Sequence, residues 1–439
     1  MFPSLVSNHK QKLHEYALNS GAFTRTRKLP VEHTVGIVMH MAVNRNTDGY
    51  AISSQNYSSE LSQFIGQKVL PASHQALSKA REKLDWEAFR FLLQQANQDT
   101  QLDAARFRYR GHITRAADGT QLSLPHSEGV LAEFEQRTSK AGLGHYPGAL
   151  MVTAINIFTG QCKAARVVNH TCSERDQLRS MIELDFGRGD LTLLDRGFAG
   201  DQMFLCFEEH AQFYLCRMRS SGDSLALYLQ EFITSRRKQK TICQKILRPD
   251  TGEEVKIRIR LIRGPKDNEG KRIILATNLP GSSRYSRRSL LKLYRSRWTV
   301  ETMYGRVKNL LKLEAFHSKS VNGVMQEIYA NLLVISLTAL ITLGAACALK
   351  LDPDVKVPSF KNTQAVVRRH LFDAILARPE PTGKAARALA RELIEEATRI
   401  IWKKQPGRAY PRVSKQPIKI WNLAKNKKLR EFKNAQLCP

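Results

Sequence analysis

The stretch YRSRWTVETMYGRVKNLLK, residues 294–312, sets polar and apolar side chains at helical intervals. An α-helix advances roughly 100° per residue. On that period Tyr294, Arg297, Glu301, Lys308 and Lys312 fall within about 60° of one another. Leu293, Val300, Met303, Val307, Leu310 and Leu311 occupy a separate arc, roughly 160° to 260° round the axis. The spacing predicts an amphipathic helix whose polar stripe is cationic with a single acid in it. Gly305 and Trp298 lie close to that stripe. A glycine inside a helix costs up to ~1 kcal/mol relative to alanine, and close approach of another backbone would rationalise it. Two roles are open to Trp298: stacking on an unpaired base or burial against a sheet.

The whole chain is as basic as its helix. Of 439 residues, 69 are Lys or Arg against 40 Asp or Glu, a net charge of +29. The excess is spread over every segment, which favours a polyanionic partner, and nucleic acid above all. A hydrophobic content of 42% excludes wholesale disorder. The seven cysteines form no CxxC pair, so reduced thiols in a cytoplasm are expected. Cys162, His170 and Cys172 lack a fourth ligand at zinc spacing. MFPSLVSNHKQK reads as neither a signal peptide nor a transit peptide. Residues 328–349, IYANLLVISLTALITLGAACAL, carry no charge and have the length of a membrane span. Asn331, Ser336, Thr338 and Thr342 are spread through them, so a central helix buried on all sides is expected, and no membrane.

Five segments follow from the pattern. Residues 1–105 read as a helical region: Ser73 caps a helix with Ala76, Leu77, Ala80 and Leu84 inward, leaving Lys79, Arg81 and Lys83 for solvent or phosphate. That is compatible with a helix-turn-helix DNA reader and with an ordinary bundle alike. Residues 106–210 alternate strands with a helix, as an α/β core does. Residues 211–280 are strand-rich. In EVKIRIRLIR, Val255, Ile257, Ile259 and Leu261 share one face, while Lys256, Arg258, Arg260 and Ile262 form a largely cationic other face. Residues 281–350 hold the quoted helix and the apolar one. Residues 351–439 are basic, with Lys and Arg dominant from Arg399 and Glu431 the one acid there.

Two aspartates stand out as company for Glu301. Asp118 closes a strand-like run, with Gly119 allowing a tight exit, and Asp195 ends the apolar run LTLLD. Carboxylates at strand ends sit where α/β sheets place their sites, though an aspartate before a turn can equally be a turn residue. Divalent magnesium takes oxygen ligands from few protein carboxylates. Two such ions suit phosphodiester displacement, activating one oxygen and stabilising another. On that reading Asp118, Asp195 and Glu301 bind metal, and Arg297, Lys308 and Lys312 hold the DNA backbone.

The chain resembles bacterial insertion-sequence transposases of the DDE type, in the group with a Tyr-Arg-Glu-Lys signature, the insertion sequence four family. Tyr294, Arg297, Glu301 and Lys308 match that signature's spacing; ADGTQLSLP and LLDRGF resemble the two aspartate blocks. ATNLP at 276–280, FTRTRKLP near the start and RAYPRVSK near the end extend the likeness. The resemblance implies a ribonuclease H-like core interrupted by a β-rich insertion, flanked by helical N-terminal and basic helical C-terminal regions. It implies Asp118, Asp195 and Glu301 as catalytic metal ligands for two Mg2+ ions, with Mn2+ as a substitute. Tyr294, Arg297 and Lys308 would contact phosphates beside the scissile bond. The partners implied are double-stranded DNA, as terminal inverted repeats and as target, and a second copy of the chain in a synaptic homodimer. The setting implied is the bacterial cytoplasm, at the nucleoid. Some members close a DNA hairpin on the element end. The other reading is a regulator or remnant that recognises the ends without cutting them.

Overall fold

The computed structural model describes residues 5–24, 29–45, 47–98, 106–139, 142–220, 225–267, 270–352, 355–376 and 383–404. The expected basic tail from residue 405 lies outside them, as does most of FTRTRKLP. The N-terminal region is helical: α1 (Lys10–His14), α2 (Val31–Val43), α3 (Tyr50–Ile65), α4 (His74–Glu82) and α5 (Glu87–Gln98). Ser73 caps α4, its Oγ accepting from the Ala76 amide at 3.2 Å. Leu77, Ala80 and Leu84 are buried, while Ala76 is exposed.

The core sheet begins with β1 (Thr114–Ser123). After α6 (Glu128–Phe134) come β2 (Gln136–Ser139), β3 (Gly142–Asn156), β4 (Cys162–Asn169), α7 (Glu174–Leu184) and β5 (Leu191–Leu194). Helix α8 (Asp201–Glu209) leads to β6 (Phe213–Arg217). β3 lies antiparallel between β1 and β4, while β1, β5 and β6 run parallel. β6 is therefore a strand of the core sheet, although it falls within the stretch expected to be the insertion. Past it come α9 (Leu227–Thr234), β7 (Gln239–Leu247), β8 (Glu254–Lys266) and β9 (Arg272–Thr277). β9 pairs with β6, so the inserted strands extend the same sheet in the order β6-β9-β8-β7.

Alternation along β8 buries Ile257, Ile259 and Leu261 against α8 and α9, as the pattern predicts. The other face is not uniformly wet. Arg260 is buried and donates to the carbonyls of Pro280 and Tyr285 and to Gln239 Oε1. Its charge serves the fold here, where sequence alone left a phosphate-facing sheet open.

Opposite α7, α8 and α9, the sheet is covered by α10 (Arg287–Tyr294), α11 (Trp298–Gly305) and α12 (Val321–Ala348). Helix α12 is long and apolar enough to cross a membrane, but here it is wrapped by α2, α5 and β4. Two C-terminal helices, α13 (Phe360–Arg369) and α15, close over it, with α14 (Leu371–Ile375), α15 (Gly383–Thr398) and the pair β10 (Lys356–Pro358) and β11 (Ile401–Lys403) completing the chain. Its polar residues are satisfied inside the protein: Ser336 Oγ accepts from the Cys162 amide, and Asn331 donates to the Glu327 carbonyl. Burial of such groups is tolerable only when they are hydrogen-bonded.

Arg81 corrects the expectation of a solvent-facing cation on α4. It is 3% exposed and reaches into α12. Its guanidinium donates to Glu327 at 2.9 Å, Gln326 at 3.0 Å and the Gly323 carbonyl at 2.8 Å. Burial alone would raise the Glu327 carboxyl; Arg81 and His317 outweigh it and hold the group below its ordinary range. The pair fastens the N-terminal helices to the central one. Glu327→Gln keeps the shape but strands a buried guanidinium, and should cost about 3 kcal/mol or more in urea unfolding. A loss under about 1 kcal/mol would show that the pair is not what fastens them.

Candidate active site

The first two acids are brought together by strand register. β1 pairs in parallel with β5, Ala116 opposite Leu193. Two residues further on, the same register sets Asp118 beside Asp195, where β5 ends. Side chains two apart share a face. Ala116 and Leu193 pack in the core beneath α11, with Val300, Met303 and Tyr304, so both aspartates lie on the face that α11 covers. Asp195 follows the last residue of its strand, as the sequence indicates. Asp118 does not: β1 runs on to Ser123, so Asp118 is mid-strand and Gly119 makes no turn.

Arg297 joins Glu301 to this pair. Its Nη2 donates to Glu301 Oε1 at 2.7 Å, and its Nη1 lies 3.6 Å from Asp118 Oδ2. The side chain is 7% exposed. Burial works against its charge, but Tyr294 and the carboxylates of Glu301 and Asp195 keep the guanidinium above its ordinary value. Nη1 is buried and lacks a hydrogen-bond partner. Asp118 feels the opposite bias. Burial, assisted by Glu174 and Asp195, pushes its carboxyl from 3.8 up to about 6, against the Gly119 amide and Arg297.

The polar stripe is present, but the helix beneath it is not uniform. The backbone tightens to a 3-10 turn over Arg295–Arg297 and widens to a π turn over Arg306–Leu310. It ends at Lys312, exposed with φ of 52°, so Lys312 is not on the helical stripe at all. π turns recur at functional sites. The stripe docks the helix on the two aspartate strands. Tyr294 Oη donates to the Leu194 carbonyl at 3.0 Å, immediately before Asp195. Lys308 Nζ donates to the Gln121 carbonyl on β1. Both donors point at protein backbone, whereas the resemblance implies phosphate contacts. Trp298 is 53% exposed, with the Arg297 guanidinium 5.3 Å from its ring centre, so it is not buried against the sheet.

Tyr304 was missed by sequence reasoning. Its hydroxyl donates to the Asp118 carbonyl and accepts from Thr153 Oγ1, locking α11 to β1 and β3. Its place three residues after Glu301 was the available signal, since i and i+3 share a helix face.

Buried carboxylates, outnumbering one guanidinium and biased toward protonation, suit a hard cation with oxygen ligands. The set is open: among the described residues, the group whose three ligand atoms lie within 4.8 Å of one another is His370, Glu392 and Glu396. That group is already paired, Glu396 with Arg369 at 2.7 Å and His370 with Asp373 at 3.3 Å. At Asp118 and Glu301, Arg297 stands between the acids.

A carboxyl raised in the folded state costs stability wherever it must ionise, here increasingly as pH climbs from about 4 to about 6. Asp118→Asn removes that cost. In EDTA at pH 7 the variant should be more stable than wild type by on the order of 1–3 kcal/mol. The gain should vanish below about pH 4, where aspartate is neutral folded and unfolded. A lower melting temperature for Asp118→Asn at pH 7 would contradict this.

Comparison with known proteins gives the site its context. A family model for the transposase DDE domain matches residues 109–337, which contain β1, β5 and α11. Nothing among curated proteins matches. Among solved structures, the cryo-EM structure of a piggyBac transposase synaptic complex with hairpin DNA is similar at a TM-score of 0.43. Identity is 11%, covering 93% of this chain and 84% of that one. With the family model spanning more than half of its length, the chain belongs to the transposases with a DDE domain.

Proposed function

We propose that the chain is the transposase of a bacterial insertion sequence and moves it by cut and paste. It hydrolyses a phosphodiester at each element end, and the freed 3′-hydroxyl attacks target DNA. The observation that carries this reading is the β1–β5 register, which pairs Asp118 with Asp195 beneath the helix bearing Glu301. The spatial order β4-β3-β1-β5-β6, with β3 antiparallel to the others' parallel set, supports a ribonuclease H-like core. The net charge of +29 supports a DNA partner.

Transposases of this family use divalent metal ions, and Asp118, Asp195 and Glu301 would hold them, as two Mg2+ with Mn2+ able to substitute. When bound, such ions make water or a 3′-hydroxyl nucleophilic at neutral pH and neutralise charge on the departing oxygen. The protein's own groups do the rest. Asp118 yields a proton held with an affinity of about pH 6. Arg297 Nη1, buried without a hydrogen-bond acceptor, is placed to donate to a phosphate oxygen. Tyr294 and Tyr304 hold the two aspartate strands against α11, so the acids do not drift apart. Exposed Trp298 and Lys312, with Lys308 on the same side, would meet the DNA. Two ends cut in concert require two such sites, hence a homodimer at synapsis.

Purified protein given its own terminal inverted repeats and MgCl2 should cut at the element ends, and EDTA should stop it. Glu301→Gln should slow cleavage at least a hundredfold while gel-shift affinity stays within about threefold. Wild-type protein that binds the repeats but never cuts them would establish a regulator instead.

A further inference from the structure

Gly119 has no need of glycine's backbone freedom. It lies inside β1 without a positive φ, where any residue fits. What it lacks room for is a side chain. A Cβ there would stand 2.3 Å from Oε1 of Glu174, 2.5 Å from its Cδ and 2.9 Å from its Cγ. Two of those atoms are the carboxyl group itself, so the space beside Asp118 is filled by the acid of another helix.

Glu174 is the first residue of α7, and that helix start is tied down. Ser173 Oγ caps it, accepting from the Arg175 amide at 3.2 Å. Arg175 donates to the carbonyls of Gly197 at 2.8 Å and Ala199 at 3.2 Å, on the turn that follows Asp195. The carboxylate is thus held from both sides, by β1 at Gly119 and by the Asp195 turn. Among the described residues it makes neither an ion pair nor a hydrogen bond. An acid at a helix start is ordinarily favoured by the helix dipole. Glu174 is instead biased toward protonation, by burial and then by Asp195.

We propose that Glu174 is a fourth carboxylate of the metal centre, admitted beside Asp118 by the bare α-carbon of Gly119, and that it helps Asp118 and Asp195 hold a hard divalent cation. The proposal rests on the metal-binding reading of Asp118, Asp195 and Glu301. A cation with an octahedral oxygen shell takes a further carboxylate directly or through a bound water, and affinity rises with the number of ligand charges. The motif Asp118-Gly119 is then one functional unit: the first residue supplies a ligand, the second the vacancy for another.

Calorimetric titration of the full-length protein with MnCl2, without DNA, tests this apart from activity. Glu174→Gln should weaken manganese binding about tenfold or more. Gly119→Ala should do the same in the wild-type background and add nothing in Glu174→Ala, because the clash is gone. Melting temperatures in EDTA check that each variant folds. Asp195→Asn is the control for the underlying reading. If Asp195→Asn weakens binding and Glu174→Gln changes it less than about twofold, the fourth ligand is refuted and the metal centre stands. If neither variant changes the affinity, the metal centre itself is refuted.

Discussion

Arg297 carries a charge that its burial would forbid if it stood alone. Removing an ion from water costs several kcal/mol unless close partners compensate. Here the partners are acids: Glu301 one helical turn on, Asp118 across the gap, and Asp195 within electrostatic reach. The acids depend on the guanidinium in return, since like charges drawn this close repel and the Asp118 carboxyl is already pushed toward protonation. Helix and strands are therefore joined by a mutual electrostatic need. The hydroxyls of Tyr294 and Tyr304 convert that attraction into fixed geometry through bonds to backbone carbonyls.

The arrangement resembles other sites where stability is traded for chemistry. Crowded carboxylates and a buried Nη1 without a hydrogen bond both cost folding free energy. The surrounding scaffold offsets that cost. Nine strands run in one sheet, and α12 is enclosed on several sides by helices that Arg81 and Glu327 help to fasten. The inserted strands β7, β8 and β9 contribute through the same sheet, so the core is broadened and not interrupted.

Much of this was legible in the sequence because it is local. LTLLD reads as a short buried strand ending in an acid, and it is one. The helix bearing Glu301 has its apolar arc inward: Val300, Met303, Val307 and Leu311 are buried. The helical N-terminal region, the strands at β3 and β4, and the buried role of residues 328–349 followed from periodicity and composition. What was not legible depends on partners distant in the chain. Arg81 and Arg260 look like surface cations until Glu327 and the Pro280 and Tyr285 carbonyls are placed beside them. Gly119 looks like a turn residue until Glu174 is seen in its space. Lys312 was put on the stripe by a constant 100° step, which the 3-10 and π turns do not keep.

The central claim is that Asp118 and Asp195, aligned by the register of two parallel strands, share a divalent cation with Glu301 on the covering helix. Anomalous diffraction from crystals grown with MnCl2 tests it most directly. The account predicts manganese between the two aspartates, with carboxylate oxygens at about 2.1 Å. Manganese bound instead at His370, Glu392 and Glu396, with none between Asp118 and Asp195, would contradict it.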